Sequence, residues 1–186
     1  MYGATSIRAV IPMIFLALVV VFAAAAGGFG GVNDGVATAR GATVRFRDLG
    51  LATHAGYGLL RDKRGIACIA DGMPGMSMGA MGVHYAKSSL VGDGALDVHT
   101  PEALVYEPVG PGKGLRLAAV EYVVLKAAWD AEHNGAPVMF GRRFNFTPTG
   151  NRFGLPAYYS LHAWLFKRNP SGEFSMWNPL VHCGVK

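Results

Sequence analysis

From Leu115 to Leu125 the chain reads Leu-Arg-Leu-Ala-Ala-Val-Glu-Tyr-Val-Val-Leu, an apolar run rich in strand formers. Ala103 to Glu107 (Ala-Leu-Val-Tyr-Glu) has the same character, and Pro108 to Gly114 between them holds two prolines and three glycines. Two such runs with a turn between them predict a β-hairpin, the second strand extending over 115–126. A third strand is expected from Ala157 to Phe166, bounded by Pro156 and by the turn Asn169-Pro170-Ser171-Gly172. Val83 to Ala86 is a short fourth. Ahead of them, Phe46, Leu49, Thr53 and Tyr57 recur at helical spacing, with Val44, Leu51 and Ala55 widening the stripe. This predicts a helix over 43–57 ended by Gly56 or Gly58. Hairpin-type links with one helix give the expected class: an α+β domain, an antiparallel β-sheet of about four or more strands with one N-terminal helix packed on it.

The first 26 residues read differently. Arg8 precedes an uncharged apolar run from Ala9 to Ala26, and small residues follow to Gly31. The pattern is that of a signal peptide cleaved near residue 26. An uncleaved anchor over 9–26 is the alternative, since the run approaches the length that spans a bilayer. In both cases the rest of the chain faces outward, secreted or periplasmic. Residues 27–42, small and glycine-rich, read as a linker, leaving 43–186 as one domain.

A net charge of +5, from 17 basic and 12 acidic residues, is scattered apart from Arg142-Arg143 and Lys167-Arg168. No basic stripe is offered to phosphates, so nucleic acid is not an expected partner. Membrane contact is expected only through an uncleaved N-terminal segment. The two cysteines, Cys68 and Cys183, are expected to pair in an oxidising compartment.

The chemistry lies where ionisable groups interrupt apolar strands. Strand alternation puts Leu115, Leu117, Ala119, Glu121, Val123 and Leu125 on one face. It likewise groups Tyr158, His162, Trp164 and Phe166. A lone charge on such a face is costly unless it is hydrogen-bonded, neutralised or coordinated. With His84, Glu107 and, more loosely, Glu102, these residues form a candidate site for a metal ion or small ligand. Copper, zinc and iron are the candidate ions, and the site requires His84, Glu121 and His162 to converge. Two other readings stand beside it: a cell-envelope structural or interaction protein in which the same residues are a core hydrogen-bond network, and an enzyme using the same pocket.

Residues 72–85 place Met73, Met76, Met78 and Met81, half of the eight methionines, on a glycine-rich loop running to His84. Soft thioethers suit copper; a lid over the sheet edge is the other use of such side chains. Within the loop Gly75-Met76-Ser77-Met78-Gly79 matches the Gly-x-Ser-x-Gly spelling, but neither a leading strand nor a following helix is indicated.

Several segments together resemble an uncharacterised family of exported bacterial proteins: Gly79 to Tyr85, which contains Met81-Gly-Val-His84-Tyr, Pro101 to Pro108 (Pro-Glu-Ala-Leu-Val-Tyr-Glu-Pro), Leu117 to Val124, and Asn151 to Cys183 with Leu-His-Ala-Trp. The resemblance implies export and a single domain and no activity. It includes Met81 but not the three earlier methionines.

Overall fold

The computed structural model describes residues 30–71, 78–110 and 112–184. The expected leader or anchor, Met73, Met76 and most of the Gly-x-Ser-x-Gly segment lie outside them. Nine strands occur among the described residues: β1 (Gly58–Leu59), β2 (Cys68–Ala70), β3 (Ala80–Ala86), β4 (Ala103–Pro108), β5 (Leu115–Leu125), β6 (Val138–Met139), β7 (Arg142–Arg143), β8 (Asn145–Thr147) and β9 (Tyr158–Ala163). Seven form an antiparallel sheet in the order β1-β3-β4-β5-β9-β8, with β2 also on β3, while β6 and β7 make a separate ribbon. The fold is α+β, as the hydrophobic pattern indicates.

The N-terminal helix lies elsewhere than expected. Residues 30–43, inside the segment read as a linker, form α1 (Gly30–Thr43). Glycine costs about 1 kcal/mol in a helix interior, and packing overrides that cost here. A Cβ on Gly35 would stand 3.1 Å from the Phe140 ring, so the bare backbone lets that ring close on the helix. Ala39 and Thr43 are fully buried beneath it. The expected single helix over 43–57 is broken. A 3-10 turn at Val44–Arg47 gives way to α2 (Leu49–His54), because the Asp48 carboxylate caps α2 by accepting the Gly50 and Leu51 N–H groups.

One face of the sheet carries the main core. Leu104, Tyr106, Val120, Tyr122, Val124 and Leu161 pack there with Phe46, Tyr57 and Phe140. Each such fully buried side chain contributes about 1.5–3 kcal/mol. The buried hydroxyls are satisfied: Tyr57 donates to the Pro101 carbonyl and Tyr106 to that of Phe46.

The opposite face is built from small residues, with Ala80, Val105, Ala118, Ala119, Trp164 and Val181 in contact. Parity along β5 departs from simple alternation, because the β4–β5 register shifts so that Val105 faces Ala119 while Tyr106 faces Leu117. The bulge turns Leu117 into the main core and leaves Glu121 on the small-residue face. β9 is shorter than expected. After Ala163 the chain turns away, so Trp164 stays near His162 but Phe166 leaves for the other side, beneath the guanidinium groups of Arg40 and Arg47.

The small-residue face is covered by irregular chain. Asn178 pairs with Ala80 through both backbone groups, and the Cys68–Cys183 disulfide ties the C-terminal segment to β2. Arg152 reaches Asp62 at 2.9 Å and holds the 150–157 loop down. Short helices α3 (Ser88–Val91) and α4 (Lys126–Asp130) complete the described elements. No helix among the described residues is long and apolar enough to cross a membrane.

Candidate metal centre

Three strands bring three side chains together. His84 lies on β3, Glu121 on β5 directly opposite His162 on β9, and β4 separates β3 from β5. The residues that β4 places between them are small: His84 pairs with Val105, and Ala103 sits opposite Glu121. The longer side chains therefore reach across Ala103 and Val105 and meet. His84 and His162 are 1% and 0% exposed, Glu121 7%.

His84 Nε2 stands 3.3 Å from His162 Nε2 and 3.4 Å from Glu121 Oε2. Glu121 Oε1 lies 3.3 Å from His162 Nδ1. One ligand atom of each residue lies within 4.8 Å of the others, the one such group of His, Cys, Asp or Glu side chains found among the described residues. These separations are long for hydrogen bonds, whose N–H···O distances centre near ~2.9–3.0 Å. The imidazole pair meets the outer limit for a bond. The 3.3 Å approach of His162 Nδ1 to Glu121 lacks bonding geometry, so His162 Nδ1 has no hydrogen-bond partner, while the Gly82 main chain is the backbone group that acts on the His84 ring.

Burial drives all three groups toward their uncharged forms. It pulls the His84 imidazole down to about 4, against the attraction of Glu121, and the proximity of His162 pulls the same way. It pulls His162 down to about 3. The Glu121 carboxyl is pushed up by burial, opposed by His84 and by the Ser160 hydroxyl. Both histidines are thus unprotonated at neutral pH, the state in which an imidazole nitrogen binds a metal. A cation would supply the charge that a buried carboxylate lacks.

The remaining expected residues fall elsewhere. Glu107 is buried at the far end of β4, but Arg116 meets its Oε1 at 2.6 Å and Lys167 its Oε2 at 2.6 Å. Both oxygens of this buried carboxylate serve ion pairs, one with an exposed guanidinium and one with a half-buried ammonium, and Glu107 stands outside the His84 cluster. Glu102 is 2% exposed and accepts the Val123 N–H at 2.8 Å. Burial pushes it up to about 8; it too stands outside the cluster. Met81 is buried and lies between the Ile69–Gly82 and Ala70–Ala80 pairs without a partner of its own, in a register shift of β3. Met78 is 40% exposed, its N–H bonded to Asp71.

Two residues not foreseen as part of the site adjoin it. The Phe153 ring meets His84 edge-on at 6.4 Å, and Ser160 acts on Glu121 from two positions before His162. The alternation that places His162 also places Ser160 on its face, so Ser160 was findable. Phe153 was not, since only tertiary structure folds its loop over the sheet. Phe153 also lines an apolar cleft of about 270 Å³, whose wall includes Glu121, Ala103, Val123, Leu155 and Tyr158. No family model matches the chain, and no curated protein or solved structure matches it.

Proposed function

We propose that this protein binds a divalent transition-metal ion through His84, Glu121 and His162. The observation that carries the reading is their spacing. Ligand atoms about 2.0–2.1 Å from a tetrahedral zinc ion stand about 3.3–3.4 Å apart, and His84 Nε2 lies 3.3 Å from His162 Nε2 and 3.4 Å from Glu121 Oε2. Distances too long for a strong hydrogen-bond network suit ligands around an ion.

Two histidines and one carboxylate match the ligand sets of zinc sites with an open position and of iron(II) sites. The donors are nitrogen and oxygen, which favours these ions over copper held by thioethers. The reading places the protein outside the cytoplasm, supported by the N-terminal apolar run and the disulfide. The test is metal analysis of untagged protein purified without chelator, beside His162→Ala. About one equivalent of zinc or iron in the native chain and none in the variant supports the site. Neither sample holding metal after exposure to zinc, iron and copper refutes it.

A further inference from the structure

We infer that the cleft beside Glu121 binds a medium-length aliphatic monocarboxylate, its head group on the bound metal and its chain among the apolar side chains. The inference rests on the metal reading above and names what fills the remaining coordination position. Among the described residues Glu121 is the only charged side chain lining the cleft, and the rest of its wall is mainly aliphatic and aromatic. Of the three cluster residues Glu121 is the one that lines the cleft, and Phe153 contributes both to its wall and to the packing on His84.

Charge selects the head group. A divalent ion with one carboxylate and two neutral imidazoles leaves a net charge of +1 in a buried setting, where charge imbalance is costly. A monoanion removes it; a cationic head would add to it. Size selects the tail. An apolar cleft of about 270 Å³ has room for a chain of several methylenes and far exceeds what acetate fills, so a medium-length tail such as that of octanoate is the match. The wall presents no charged partner for a second polar group along the chain.

The experiment is calorimetric titration of octanoate and of acetate into the zinc-loaded full chain, its zinc-free form and Val91→Trp, with zinc content measured in each. Val91, on α3, lies at the cleft and is only partly buried, so an indole there fills the space without replacing a ligand residue. Leu155→Trp fills it from the opposite loop and replaces Val91→Trp if that variant fails to fold. Each buried methylene is worth roughly fourfold in affinity, so octanoate is expected to bind zinc-loaded protein about 100-fold or more tighter than acetate. Zinc removal and the tryptophan variant should each weaken octanoate about tenfold or more, the variant keeping its zinc. A preference for octanoate below about tenfold, or an unweakened tryptophan variant that retains zinc, overturns the cleft assignment and leaves the metal site standing. Equal octanoate affinity with and without zinc overturns the head-group contact. A chain that takes up none of zinc, iron and copper overturns both readings.

Discussion

Replacing Glu121 by glutamine separates an ion site from a hydrogen-bond network. Glutamine keeps the shape of the side chain but removes the negative charge a cation needs, so the metal-free protein should change by no more than about 1 kcal/mol. The carboxyl is already pushed toward its neutral form by burial, and an amide never has to be desolvated as an ion. Metal-bound stability is another matter. An ion at 100 times its dissociation constant stabilises the native state by about 2.7 kcal/mol. For a domain of this size that raises the unfolding temperature by about 5–11 °C, at about 2–4 °C per kcal/mol. Thermal unfolding followed by circular dichroism, with chelator and with zinc, should show that rise in the native chain and none in Glu121→Gln. In a hydrogen-bond network whose two ring N–H groups both donate to the Glu121 carboxylate, glutamine would set its NH₂ against one of them, donor facing donor, costing about 1–3 kcal/mol without metal. A native chain indifferent to zinc, combined with a destabilised Glu121→Gln, would falsify the metal argument.

Three further outcomes are expected. In metal-free protein Glu102, raised from 4.5 to about 8, contributes stability that is present below pH 4.5 and lost as pH climbs to about 8; His84 and His162, lowered from 6.5 to about 4 and about 3, contribute stability that is present above 6.5 and lost as pH falls. Glu121, pushed up in the same way, joins Glu102 in opposing the two histidines, so unfolding temperatures from pH 3 to 9 in chelator should lie on a plateau near about pH 4.5–6.5 and fall on either side, and Glu102→Gln, which can still accept the Val123 N–H, should make the alkaline limb shallower; an unchanged limb contradicts the assignment. Cys183→Ser opens a crosslink spanning 115 residues and should cost about 5 kcal/mol on the chain-entropy scale, read as a lowered urea midpoint; a loss under 1 kcal/mol would show that the C-terminal cover is held by other contacts. Gly82 has φ +105° and a Cβ there would stand 2.5 Å from the Tyr106 carbonyl oxygen, so Gly82→Ala should cost at least about 2 kcal/mol and weaken zinc uptake through His84, two residues on.

The three site residues were legible because strand alternation is local. Glu121 and His162 stand within apolar runs, and a period of two turns them to a buried face whatever lies across the sheet. The same rule misplaces Leu117, since a bulge is set by the partner strand and not by the run itself. It groups Phe166 with His162 because nothing in Leu-Phe-Lys-Arg signals that pairing ends at Ala163. Glu107 shows a different limit. Alternation marks it as a buried carboxylate, but its partners Arg116 and Lys167 come from two other segments, and a salt-bridged carboxylate and a metal ligand look alike in sequence. The helix over residues 30–43 was illegible for the opposite reason: its glycines argue against a helix, and the Phe140 ring that makes use of Gly35 lies about a hundred residues on.

The two faces of the sheet divide stability from chemistry. The aromatic face joins large side chains from strands and helices, with its hydroxyls bonded to main-chain carbonyls. The other face holds alanines, valines and Trp164 around a glutamate and two histidines, with His162 Nδ1 left without a partner, beneath irregular chain. Such a face contributes little to folding and must be held shut from outside. The cover is fastened at points away from the site: the disulfide to Cys183, the Asn178–Ala80 pair and the Arg152–Asp62 ion pair. Under that cover Ala103 and Val105 are as consequential as the ligands. A larger side chain at position 103, which lies opposite Glu121 on β5 and two residues along β4 from Val105, the partner of His84, would part the two side chains, whose nearest atoms are only 3.4 Å apart.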